Sequence, residues 1–91
     1  MSEKTDSVIY KSVVAHGLVG WDVMEVVHLR GEQIIKSFVI ARHPDGTILR
    51  RVVGGAIILT DKWEEVTAEK DLRYYRTCFD DRDSRANRQL Q

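Results

Sequence analysis

Turn-forming residues interrupt this chain at short intervals, and the segments between them are rich in valine and isoleucine. Gly31-Glu32 and Gly54-Gly55 each match a two-residue hairpin turn, and Pro44-Asp45-Gly46 matches a type I turn with a glycine bulge. Parallel strands need crossover connections of about a dozen residues or more, and these connections are too short for that. The spacing of the turns therefore predicts an up-and-down antiparallel meander.

The segments between the turns predict five strands. A turn at Gly31-Glu32 would place His28 opposite Ile35, since a two-residue hairpin fixes the register of its strands. The strand segments are Val8–His16, Trp21–Arg30, Gln33–Arg42, Ile48–Val53 and Ala56–Thr60.

A helix is predicted after the strands, where the composition becomes charged. Thr67 is a suitable N-cap for residues 67–79, and apolar residues recur there at helical spacing. This stripe consists of Ala68, Leu72, Tyr75 and Phe79. A sixth strand over Leu72–Phe79 is the alternative, because Tyr, Thr, Cys and Phe also suit a sheet. The predicted fold class is α+β, mainly β: a five-stranded antiparallel meander, either an open sheet or a small barrel, with one C-terminal helix.

The two ends of the chain lack the apolar pattern of the middle. Residues 1–7 are polar and are expected to be flexible, and residues 80–91 contain one large apolar residue, Leu90, so we expect a disordered tail. Residues 8–79 then form a single β-rich domain, which suits a chain of 91 residues.

The charge balance and the single cysteine limit the cellular setting. Lys plus Arg and Asp plus Glu each total 14, so no overall field attracts nucleic acid or an anionic membrane. Cys78 has no second cysteine with which to form an internal disulfide, which favours a reducing compartment. We expect a cytoplasmic protein with no signal peptide and no membrane segment.

The third strand has apolar residues on both faces. Ile34, Phe38 and Ile40 alternate with Ile35, Val39 and Ala41. One helix covers one face, so either closure into a barrel or a second subunit must cover the other. The second solution predicts a homodimer or higher oligomer, or a protein partner, with an interface that includes Ile35, Val39, Ala41 and Ile58.

No catalytic, cofactor or metal site is predicted. Gly54-Gly55 lacks the further residues of a phosphate-binding loop, and the three histidines have no spacing suited to a structural metal site. Cys78 precedes Asp80 and Asp81, whose charges favour the neutral thiol over the nucleophilic thiolate. We therefore expect a non-enzymatic interaction module with no cofactor.

Arginine supplies an alternative function. Nine of the 14 basic residues are Arg, and tyrosines beside them could stack on bases, as in proteins that bind single-stranded nucleic acid. Interleaved aspartates favour the competing interpretation, in which these arginines pair with nearby acids or a partner protein. The candidate nucleic-acid residues are Arg50, Arg51, Arg73, Tyr74, Tyr75 and Arg76.

Overall fold

The computed structural model describes residues 5–15, 17–52 and 62–89, and these residues form one antiparallel sheet with a helix packed on it. The spatial order of the strands follows the chain, and every pairing is antiparallel. The predicted meander is confirmed, and the sheet is open rather than closed into a barrel. The elements are β1 Asp6–Ser12, β2 Asp22–Arg30, β3 Gln33–Arg42, β4 Ile48–Val52, β5 Lys62–Glu65 and α1 Glu69–Gln89.

Glycines with positive φ make two of the predicted turns possible. Gly31 has φ of 62° between β2 and β3, and Gly46 has φ of 99° between β3 and β4. The second turn is closed by a hydrogen bond from the Thr47 N–H to the Asp45 carboxylate, at 2.8 Å. Glycine adopts this region of φ without the steric cost that a Cβ brings. The predicted Gly54-Gly55 turn lies outside the described residues.

The β2–β3 register matches the prediction next to the turn and differs from it by one residue beyond Leu29. A bulge between His28 and Leu29 places His28 opposite Lys36 and Leu29 opposite Ile34, so Ile35 has no partner on β2. Cross-strand partners project to the same face, and Leu29 shares its face with Glu25, which pairs with Val39. Ile34 therefore lies on the same face as Val39, opposite to the predicted alternation.

Helix α1 covers one face of the sheet, and the larger part of the core lies between them. Met24, Val26 and Ile40 are fully buried there against Cys78 and Phe79. The predicted helix at Leu72–Phe79 is thus confirmed over the alternative strand. The first helical bond runs from the Leu72 N–H to the Ala68 carbonyl, so the helix begins one residue after the position that a Thr67 cap requires.

The helix also extends further than the sequence predicted. It continues to Gln89, so the prediction of a disordered tail from residue 80 is wrong for residues 80–89. The physical reason is docking by charged side chains: Arg82 and Arg85 are half-buried, Arg82 donates to Asp22 of β2, and Arg85 donates to the Val8 carbonyl of β1. At the other end, β1 begins at Asp6, within the segment expected to be flexible.

The fifth strand of the structure is not the predicted one. Residues 56–60 lie outside the described residues, and β5 is the charged segment Lys62–Glu65, which the sequence suggested as the approach to the helix. The segment alternates as a strand should: Trp63 packs onto the face away from α1, and Glu64 accepts a hydrogen bond from Arg50 of β4 at 3.0 Å.

Candidate functional site

The sheet face opposite α1, here called the open face, is partly covered by the chain itself. Val23, Val39 and Ala41 are buried on this face, and the connection between β1 and β2 packs over them. The covering residues are Val13, Ala15, Leu18 and Trp21, together with Leu49 and Trp63 from β4 and β5. The apolar surplus that the sequence assigned to a barrel or a second subunit is thus met in part by this connection.

A second part of the open face keeps apolar residues at the surface. The apolar patch consists of Ile9, Val27, Leu29 and Ile34, which lie on β1, β2 and β3 at the end that carries the Gly31 turn. Val27 is buried at its centre, whereas Ile9 is 37% exposed and Ile34 is 62% exposed. Lys11 and Glu25 form the next cross-strand pair on the same face. The patch is therefore apolar, with one charge of each sign at its border.

The residues predicted for a protein interface differ in their exposure. Val39 and Ala41 are buried inside the chain, so they offer no surface to a partner. Ile35 remains 47% exposed at the bulge, and Ile58 lies outside the described residues. Ile34 was missed because a regular hairpin would direct it toward α1; no residue in the sequence marks the bulge that redirects it.

Most of the arginines with known partners pair with acids of the same chain. Arg82 donates two hydrogen bonds to the Asp22 carboxylate, at 2.8 and 2.6 Å, and two more to Asp83. Arg42 lies 3.2 Å from the same Asp22 carboxylate, and both guanidinium groups stack on the buried Phe79 ring. The hydrogen bonds from Arg82 hold the pKa of Asp22 below its usual value despite partial burial. This network fixes the middle of α1 to the start of β2.

The Arg85 contacts continue this docking along the helix. Its guanidinium donates to the Val8 carbonyl, pairs with Asp81 at 3.0 Å and stacks on the Tyr10 ring. The Tyr10 hydroxyl donates to the same Asp81 at 2.7 Å. Burial raises the pKa of Tyr10, and the hydrogen bond to Asp81 raises it further.

The predicted nucleic-acid residues do not lie on one surface. Arg50 projects toward α1, where hydrogen bonds with Tyr75 and Glu64 raise its pKa, and Arg51 projects to the opposite face, where its β5 partner is Trp63. Tyr75 packs against the core, and Tyr74 contacts Phe38. Arg73 and Arg76 lie on exposed turns of α1. The structure brings Arg50 and Tyr75 together but does not assemble the set into a stacking platform.

The Cys78 thiol and the two described histidines each contact a neighbouring side chain. Cys78 is buried, and burial raises the pKa of its thiol, although a hydrogen bond with Tyr74 acts in the other direction. His28 contacts the Tyr74 hydroxyl, and His43 contacts Asp45 in a turn. Within residues 5–15, 17–52 and 62–89, no three metal-binding side chains converge.

No family model, curated protein or solved structure matches this chain. In the part of the chain that the structure describes, no helix has both the length and the apolar character needed to cross a membrane.

Proposed function

We propose that this protein is a non-enzymatic interaction module that associates with a second copy of itself through the apolar patch. The observation that carries the proposal is Ile34, an apolar side chain that is 62% exposed opposite Leu29 on the open face. Sheet faces of this kind bury their apolar residues by packing on another sheet. Cys78 stays protonated inside the core, which suits a structural role in a reducing, cytoplasmic setting.

A second copy fits the patch better than an unlike partner because the surface is complementary to itself. The formal net charge is zero, so two copies do not repel each other at long range. Lys11 and Glu25 form a cross-strand pair of opposite charge at the border of the patch, so two copies related by a two-fold axis through the patch meet with balanced charges. The core of each copy is small, and burial of the patch adds to it.

Light scattering after size-exclusion chromatography tests this proposal. We expect the wild-type protein at micromolar concentration to have twice the 10.5 kDa mass of the chain. Ile34→Asp should give the monomer mass, since it introduces a charge into the buried interface. The matched control is Val19→Asp, which adds the same charge at a residue that is 95% exposed in the β1–β2 connection. A monomeric wild-type protein, or an Ile34→Asp variant of unchanged mass, would contradict the proposal.

A further inference from the structure

A groove on the helix side of the sheet is separate from the apolar patch. It has a volume of about 220 Å³ and lies where α1 crosses β1 and β2. Its walls come from Val8 and Tyr10 of β1, from His28 of β2, and from Tyr74, Thr77, Cys78 and Asp81 of α1. A dry cavity of roughly 150 Å³ is large enough to hold one benzene molecule. The groove therefore has room for a single six-membered ring with a small substituent.

The walls of the groove are suited to a flat ring. The rings of Tyr10, Tyr74 and His28 line it, and Phe38 backs two of them at centroid distances of 6.0 Å. The Cys78 sulfur adds a polarizable atom of the kind that packs well against aromatic rings. Aromatic pairs at centroid distances of roughly 4.5–7 Å attract each other beyond simple burial.

The polar groups of the groove indicate a neutral ligand. The His28 Nε2 lies 3.0 Å from the Tyr74 hydroxyl oxygen, and the Tyr10 hydroxyl donates to Asp81. Asp81 is also paired with Arg85, so its charge is balanced within the chain. A charged ligand would lose its hydration and meet no unbalanced opposite charge among these groups. A larger cavity of about 290 Å³, lined by Arg82 and Arg85, is less suitable because both guanidinium groups are held by carboxylates.

We propose that this groove binds a small neutral molecule with one aromatic ring and one hydroxyl or N–H group. The ring lies between the tyrosines and Cys78, and the polar group exchanges hydrogen bonds with the His28–Tyr74 pair. This site is independent of the proposed self-association, since no residue of the apolar patch lines it.

Phenol is the probe for this site, and the amide ¹H–¹⁵N spectrum of the full chain is the measurement. We expect saturable shifts at Val8, Thr77 and Cys78, with a Kd of the order of 1 mM, as suits so small a ligand. Thr77→Phe fills the groove from the helix surface and should weaken binding by at least about tenfold. Ser84→Phe adds the same ring at an exposed position of α1 outside the groove and should leave the affinity unchanged.

Three results would overturn the proposal. The first is a set of shifts that grow linearly without saturation, and the second is equal affinity in Thr77→Phe and the wild-type protein. The third is equal affinity for cyclohexanol, which has the size and hydroxyl of phenol without its π-system. A monomeric mass with saturable phenol binding would contradict only the proposed self-association.

Discussion

Asp22 is the residue that connects α1 to the start of β2. Its carboxylate accepts from Arg82 and Arg42, and these two guanidinium groups lie on the ring of Phe79, which is fully buried. The same carboxylate has a lowered pKa because the ionised form receives these hydrogen bonds. Stability at this site therefore depends on the ionisation of one side chain.

Asp22→Asn tests this dependence. A group with a lowered folded pKa stabilises the protein above its unfolded pKa, about 3.8 here, and this stability is lost as the pH falls through the folded value. At neutral pH we expect the variant to lose about 1 kcal/mol, a small value because the side chain is 39% exposed and screened by solvent. Below pH 3.8 the difference from the wild-type protein should shrink.

Urea titrations at several pH values measure the free energy of unfolding for this comparison. The matched control is Asp80→Asn, which makes the same change of charge at an exposed position of α1. A difference between Asp22→Asn and wild type that is constant with pH would mean that packing, and not ionisation, sets the loss.

The pairing of individual arginines was only partly predictable. Asp and Arg are interleaved along the sequence after residue 70. This composition does not distinguish pairing within the chain from pairing with a partner protein. The pairing is decided by contacts across 60 residues, such as Asp22 with Arg82, which local spacing does not encode.

The bulge in the β2–β3 hairpin brings Ile34 to the open face, where it forms part of the apolar patch. The prediction of the hairpin itself was confirmed, because Gly31 permits the turn that the flanking strands require. The shift of register could not be predicted from the sequence. Ile34 and Ile35 are identical side chains, so the hydrophobic pattern is the same whichever of them faces α1. An extra residue on one strand reverses the alternation beyond it, and this moves Ile34 to the open face.

Deletion of Ile35 is expected to convert the bulge into a regular ladder. Leu29 stays opposite Ile34 and His28 stays opposite Lys36, so every other residue keeps its face. We expect a change of less than about 1 kcal/mol in the free energy of unfolding, measured by urea titration.

Deletion of Val39 is the control for this experiment. This deletion also removes one residue of β3, but the strand is regular there, so the residues on one side of the gap must turn to the opposite face. Such a reversal is costly because Ile40 and Ala41, next to the gap, are both fully buried. The control should therefore unfold the protein. A large loss of stability on deletion of Ile35 would contradict the assignment of Ile35 as the extra residue.

The sequence predicted α1 to be shorter than it is, because its two parts dock on the sheet by different means. Its first part has an apolar stripe, of which Tyr75 and Phe79 face the core, and this stripe was visible in the sequence. Its second part docks through Arg82 and Arg85, which a search for apolar periodicity treats as solvated. Long cationic side chains bury their aliphatic stems while their charged groups find acceptors.

At the scale of the whole molecule, the two sheet faces are covered by different means. Helix α1 covers one face, and the β1–β2 connection covers only part of the other. The apolar patch remains at the surface of a chain whose core is small, and its burial in a dimer would stabilise the folded state through mass action.

The thermal midpoint should therefore rise with protein concentration. Circular dichroism melts over a wide range of concentrations measure this, and Ile34→Asp should have a midpoint that is independent of concentration. The rise should persist at high salt, because apolar burial is not screened as phosphate or ion-pair contacts are. A constant wild-type midpoint would contradict self-association.

The docking of α1 onto β1 also has a consequence for the order of folding. Neighbouring strands of the meander are joined by connections of two to nine residues, whereas the Tyr10–Asp81 bond joins residues 71 positions apart. Closing a long loop costs more entropy than closing a short one, so local hairpins form before distant contacts. During synthesis the strands are made first, and Met24, Val26 and Ile40 stay uncovered until α1 has been made and packs on them. On the ribosome, this half-formed sheet is the species that a chaperone would meet.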